Sequence, residues 1–218
     1  TTDTLTTDLP DIETTSLTYT VINNGPGPLT LDGTAGSRVA LSNPVNVTAV
    51  ATDPVSSTIS ASGTTTFRLD LSPAGPGPVS VDVSIDNTDP LQDPYTFTVS
   101  GTAISIPDII VRDPSGADIL PGTADTAGNF LVGQGADRVF TIANLGSADL
   151  LLGSPAASFS GATNVTATLG TVSTATIPAS QTGTLAVTLE PTAVGPFEVT
   201  VTIASNDPDR PNYSFRVT

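Results

Sequence analysis

The chain repeats itself at a distance of 118 residues. Ile85-Asp86-Asn87-Thr88-Asp89-Pro90, followed by Tyr95, Phe97 and Val99, returns as Ile203-Ala204-Ser205-Asn206-Asp207-Pro208, followed by Tyr213, Phe215 and Val217. A period this long exceeds any solenoid unit and matches the size of a whole domain. The 218 residues are therefore expected to fold as two copies of one module, residues 1–103 and 104–218.

Each copy reads as a series of strands. Leu17, Tyr19 and Val21 alternate with Thr18 and Thr20, and Val79, Val81, Val83 and Ile85 alternate with Ser80, Asp82 and Ser84. Period-two alternation marks strands with one buried and one wet face, the pattern of an antiparallel sheet covered by a second sheet. Thr is frequent and favours strands, while Gly and Pro punctuate the turns. No segment carries a capped helical period. The expected fold is all-β: two tandem immunoglobulin-like antiparallel sandwiches of about seven strands each. With no Cys and no Trp, each core must be held by aliphatic and aromatic packing. The short junction around Ser100–Pro107 suits a semi-rigid spacer.

The two copies align at 121 residues in their early strands and at 118 from Asn46/Asn164 onward, which places a three-residue insertion around Gly33–Ser42. At the 121-residue spacing Thr1 matches Gly122, so the first copy has no counterpart of its partner's first strand, Asp108–Val111. A sandwich without an edge strand exposes unpaired backbone groups and an apolar groove. Three explanations are open: an arbitrary boundary in a longer array, an abbreviated strand at Thr4–Leu9, or a groove filled by a neighbouring subunit.

Composition excludes much chemistry. His, Cys and Met are absent and all 6 basic residues are Arg, so the usual zinc, copper and haem ligands, the Ser–His nucleophile and the Schiff-base Lys are missing. A net charge of −15 argues against nucleic acid and anionic membrane surfaces. No apolar run is long enough to span a bilayer. Glu occurs only at positions 13, 190 and 198, and no carboxylate pair of the glycosidase kind converges on a cleft. The expectation is no enzyme.

The closing stretch Ser205-Asn206-Asp207-Pro208-Asp209-Arg210-Pro211-Asn212-Tyr213-Ser214-Phe215-Arg216-Val217 resembles the Hydin-type immunoglobulin-like repeat, in particular the "choice-of-anchor D" repeats of bacterial surface proteins. In these an SNDP turn precedes a last strand of alternating aromatics and Val, usually followed by G-T-A, as at Gly101-Thr102-Ala103. The beginning of the family's next segment appears as Phe140-Thr141-Ile142-Ala143-Asn144-Leu145-Gly146, and more loosely as Tyr19–Gly25. The first copy departs at the turn, with Asp86-Asn87-Thr88-Asp89-Pro90. The resemblance, over nearly the whole chain, implies a scaffold or spacer at the cell surface, related in fold to major-sperm-protein and pilus-chaperone domains.

The acidic turns are the candidate sites. Asp86, Asn87, Asp89 and Asp93 in one, and Asn206, Asp207 and Asp209 in the other, offer hard oxygens suited to Ca²⁺, or else Asx-turns that close a hairpin. No other cofactor is expected. Asn46, Asn164 and Asn212 begin N-glycosylation patterns, while Gly25-Pro26-Gly27-Pro28 and Gly75-Pro76-Gly77-Pro78 read as turns. The functional expectation is a non-catalytic extracellular structural module, a subunit or segment of a bacterial surface fibre that associates with itself or with neighbouring repeats, in one version by strand addition. The alternative is an adhesin segment recognising glycan or protein, in one form with Ca²⁺. The 3 Tyr and 7 Phe, mostly at core-phase positions, count against an aromatic platform for sugars.

Overall fold

Alternating Thr, Val and Ser give strands and nothing else: the computed structural model describes all 218 residues, and none is helical. No helix is therefore long and apolar enough to cross a membrane. The chain divides into two compact units, Thr1–Ser105 and Ile106–Thr218.

Unit 1 contains β1 (Thr2–Thr4), β2 (Leu9–Pro10), β3 (Thr15–Ile22), β4 (Leu29–Thr30), β5 (Ala40–Val45), β6 (Val47–Thr52), β7 (Thr58–Ile59), β8 (Thr64–Pro73), β9 (Gly77–Ile85) and β10 (Tyr95–Ile104). One sheet has the order β1-β10-β9-β5, with β2 also against β10, and the other the order β3-β8-β6; β4 and β7 form a small ribbon. Unit 2 contains β11 (Ile109–Arg112), β12 (Asp118–Ile119), β13 (Ala124–Asp125), β14 (Ala136–Asn144), β15 (Leu150–Thr163), β16 (Val165–Val172), β17 (Thr176–Ile177), β18 (Thr182–Pro191), β19 (Glu198–Ser205) and β20 (Asn212–Val217). Its sheets run β12-β11-β14-β18-β16 and β13-β20-β19-β15-β17. Both units are immunoglobulin-like sandwiches, each with more strands than the seven expected because several break into short pieces.

The inward positions are those the alternation marks. Val79, Val81, Val83 and Ile85 of β9 are buried, as are Val199, Val201 and Ile203 of β19. Each such side chain contributes roughly 1.5–3 kcal/mol by leaving water. Phe140 and Phe215 meet edge to face at 5.0 Å between ring centroids in the core of unit 2, which has neither a disulfide nor a Trp.

The first unit is not missing the whole of its first strand. In unit 2 the entering chain is split: β11 pairs antiparallel with β14, and after β12 the chain crosses to the other sheet, where β13 runs parallel to β20 through Ala124↔Arg216 and Asp125↔Val217. Unit 1 keeps the second half, with β1 parallel to β10 through Thr2↔Thr98 and Asp3↔Val99. That pairing sets Asp3 in the place of Asp125, one residue out of step with the 121-residue spacing. Unit 1 lacks any counterpart of β11 and β12. The expected stand-in at Thr4–Leu9 does not replace them, because β1 and β2 both lie on β10 in the opposite sheet.

The insertion around Gly33–Ser42 forms a loop ahead of β5. Gly33 and Gly36 adopt positive φ, and the Asp53 carboxylate accepts the backbone N–H groups of Gly36, Arg38 and Val39. Burial opposes ionisation of Asp53, but the three N–H groups and the Arg38 charge outweigh it and hold the carboxyl below its ordinary value. The unfolded chain thus binds a proton that the folded chain does not, so Asp53 stabilises unit 1 above the ordinary carboxylate range and ceases to as pH falls below it. Urea melts of Asp53→Asn at pH 7 are expected to show a loss of about 1–3 kcal/mol, shrinking as pH falls below the ordinary carboxylate range and the native carboxylate takes up its proton.

Candidate functional site

In unit 2 the first strand satisfies a set of groups that unit 1 leaves open. β11 pairs with β14 in the register Ile109↔Asn144, Ile110↔Ala143, Val111↔Ile142 and Arg112↔Thr141. The Ile109 N–H donates to the Asp207 carboxylate at 2.8 Å. The Tyr213 hydroxyl donates to the Ile119 carbonyl of β12, and the Asn144 side-chain oxygen accepts the N–H of Asp108 and of Gly146. Ile109, Val111 and Ile119 are buried in the core.

Several of these receiving positions recur in unit 1 without their partner, while Ser147 and Arg210, which bond Ile106 and Asp108, give way to Pro26 and Gln92. β3 pairs with β8 alone, through Tyr19↔Phe67 and its neighbours, so its other edge is free. Ile22 at that edge is 56% exposed, against 2% for Ala143 at the matching place. Tyr95, the counterpart of Tyr213, is 44% exposed where Tyr213 is fully buried. Asp89, the counterpart of Asp207, accepts only the Leu91 N–H on one oxygen. Asn23 keeps the role of Asn144, its amide donating to the carbonyls of Gly27, Ile59 and Ser60 and its oxygen accepting the Gly25 N–H.

These positions frame a groove of about 1000 Å³. All four aromatic residues of unit 1 line it: Tyr19, Phe67, Tyr95 and Phe97. Tyr19 stacks on Phe67 at 5.3 Å and leans on Phe97 at 5.3 Å, and Tyr95 meets Phe97 at 6.2 Å. The Tyr19 hydroxyl donates to the Asp3 carboxylate at 2.7 Å. Burial, and then that hydrogen bond and the Asp3 charge, push the Tyr19 hydroxyl well above its ordinary range. Phe67 is buried and Tyr19 and Phe97 half-buried, so Tyr95 presents the one exposed ring. That leaves a trough of mixed polar and apolar lining beside the β3 edge, with the Tyr95 ring exposed in it.

The acidic residues singled out from the sequence do turn work. Asn87 donates its amide to the carbonyls of Ile85 and Gln92, and its N–H goes to Asp93. The Asp89 N–H returns to the Asn87 side-chain oxygen, while Asp86 is exposed. In unit 2, Asp207 accepts the N–H groups of Asp209 and Arg210 and faces the Arg210 guanidinium at 3.5 Å. Arg210 also pairs with Asp108. Asn206 ties Leu151 and Asp149, and Asp209 is exposed. No three acidic side chains come together in a group that could hold a metal ion. Asn46 and Asn164 sit at positive φ with their amides on the carbonyls of Gly75 and Pro196. Tyr19, Phe67, Tyr95 and Phe97, which line the groove, are not marked as site residues by the sequence; their alternation reads there as core packing.

No family model matches the chain, and no curated protein matches it. Among solved structures, a protein of unknown function from Porphyromonas gingivalis W83 aligns over 98% of this chain and 94% of its own at 16% identity, with a TM-score of 0.35. A PapD-like domain of human CEP192 covers 47% of this chain and 80% of its own at 16% identity and TM-score 0.36. The D0–D1 domain of intimin covers 96% and 91% at 19% identity and TM-score 0.21. These likenesses concern the β-sandwich and say nothing about activity.

Two outcomes test this geometry. Tyr213→Phe strands a buried carbonyl and is expected to cost about 1–3 kcal/mol in denaturant melts, while Tyr95→Phe, whose hydroxyl has no partner, changes stability by less than about 0.5 kcal/mol. Millimolar Ca²⁺ or a chelator is expected to leave the melting temperature unmoved, because the turn oxygens already hold N–H groups; a calcium-dependent rise would restore the turns as cation sites.

Proposed function

We propose that the chain is a non-catalytic extracellular structural module, a subunit or segment of a bacterial surface fibre. The observation that carries this reading is the recurrence of one all-β sandwich in two compact units, each closed by its own apolar core. The resemblance to surface-protein repeats supports the setting. The net charge of −15 suits an exposed, soluble surface that repels non-specific neighbours. The absence of His, Cys and Lys leaves the fold without the usual nucleophiles and bases, and fits a role in spacing and assembly.

The test is made on the natively isolated protein. Antibody labelling of intact cells is expected to detect the chain outside, and external protease to remove the signal; an intracellular location overturns the reading. Light scattering and negative-stain microscopy of the isolated material are expected to show ladders of regular oligomers or filaments. A single species with the mass of one chain removes the assembly half of the proposal.

A further inference from the structure

In unit 2 the chain reaches its second sheet through a narrow strap. After β12, Gly122-Thr123-Ala124-Asp125-Thr126-Ala127 runs parallel to β20, with Ala124 opposite Arg216 and Asp125 opposite Val217. Backbone hydrogen bonds hold it there. The Gly122 N–H donates to the Ser214 carbonyl at 2.7 Å and the Ala127 N–H to the Thr218 carbonyl at 2.7 Å. In return the Arg216 and Thr218 N–H groups donate to the carbonyls of Thr123 and Asp125, each at 2.9 Å. Along the strap only Asp125 is buried and Ala127 half-buried, so apolar burial contributes little to holding it.

Asp125 turns inward, where Arg138 of β14 meets it from the facing sheet. The Arg138 Nε donates to one carboxylate oxygen and its Nη2 to the other at 2.6 Å. Nη2 also reaches the Thr126 carbonyl at 3.3 Å, and the guanidinium carbon lies 6.0 Å from the centre of the Phe140 ring. The side chains of Asp125 and Arg138 are 3% and 16% exposed, so water competes little for the pair. A two-pronged pair of this kind is directional as well as strong. It fixes the strap along its own axis, where an apolar contact would let it slide.

The direction of the strap matters when the chain is stretched. The Ile109 N–H is held by Asp207, in the turn that precedes β20, so the chain enters unit 2 at the end where β20 starts. β20 runs from there to Val217, and the strap runs beside it in the same sense. Tension between the entering segment and the far end of β20 pulls the strap one way and β20 the other. The bonds between them lie across that load and share it, whereas a peeling load opens them one at a time. β11 on β14 and β12 on β11 meet the load first, without a buried ion pair behind them. We infer that the Gly122–Ala127 strap, locked by Asp125 and Arg138, is a force-bearing clamp that keeps unit 2 folded when it is stretched between Ile106 and the end of β20. The clamp rests on the structural-module reading for its source of tension, since a segment of a surface fibre is loaded along its chain. It acts on the unfolding rate, which governs forced unfolding.

The experiment is single-molecule stretching of the 218-residue chain in two directions. The chain has no Cys, so introduced thiols are the sole attachment points. Ser105→Cys with Thr218→Cys loads unit 2 along the clamp. Leu131→Cys with Thr218→Cys places both handles at the end of unit 2 where the strap and β20 finish, and peels them apart. The first geometry is expected to rupture at the higher force. Asp125→Asn, which keeps the shape of the side chain and removes its charge, is expected to speed unfolding under the axial load about tenfold or more. Under the peeling load it changes the rate by less than about twofold. Asp125→Leu with Arg138→Leu, which leaves no buried charge unpaired, is expected to show the same split between directions and replaces the single variant if that one does not fold.

Equal rupture forces in the two directions overturn the clamp. So does a variant that speeds unfolding alike in both, which is the mark of an ordinary loss of stability, or one that leaves the axial rate unchanged. These results leave the location and role of the module untouched, just as an intracellular location would overturn the proposed function while leaving the directional resistance of unit 2 intact.

Discussion

A β-strand inside a sandwich has two edges, and each N–H and C=O on them must find a partner or face water. β14 of unit 2 is paired on both sides, by β11 and β18, and its inward residues Phe140 and Ile142 are fully buried. β3 of unit 1 has the same sequence character and the same partner on one side, but nothing on the other. The consequences follow in order. Leu17, Tyr19 and Val21 stop at half-burial, Tyr95 swings a ring into solvent, and the Asp3 side chain of the neighbouring sheet takes the Tyr19 hydroxyl. One missing ladder of hydrogen bonds thereby accounts for the groove, its aromatic lining and its polar rim.

How the edges are finished differs within unit 1. β5, at the edge of the other sheet, carries Pro44 and a register shift between Ser42 and Val45, two devices that discourage further pairing. β3 has neither: it runs Thr-Ser-Leu-Thr-Tyr-Thr-Val-Ile without a proline, a glycine or a charge. A strand of this composition is suited to a central place in a sheet. β3 thus has the composition of a central strand, and β8 is its one partner here.

Much of the fold is legible in the sequence because two periods carry it. The 118-residue recurrence gives two domains, and the alternation of Val79, Val81, Val83 and Ile85 gives the buried faces. That nothing in the first copy matches Asp108–Val111 is visible from the alignment alone, yet only in outline. Sequence spacing treats the entering segment as one strand, whereas the chain uses it as two half-strands on opposite sheets, β11 and β13. A sheet switch is a matter of three-dimensional pairing and leaves no periodic mark. The turn residues leave two readings open for a related reason. Asp and Asn close together look alike whether their oxygens face a cation or the N–H groups two residues on, and Asn87 and Asp207 do the second.

Glycine is where the comparison of the two units says most. In Gly-Pro-Gly-Pro a glycine reads as turn chemistry, and Gly77 at φ 124° bears that out. Gly25, in the earlier run of the same residues, answers to a different demand. Its own conformation accepts any residue, and the close contact that excludes a side chain at Gly146 comes from the backbone of another segment. Glycines at matching places thus answer to different surroundings: at Gly146 a Cβ would collide with the backbone of Ile106–Asp108, and at Gly25 it would meet only the Asn23 side-chain oxygen, at 3.2 Å.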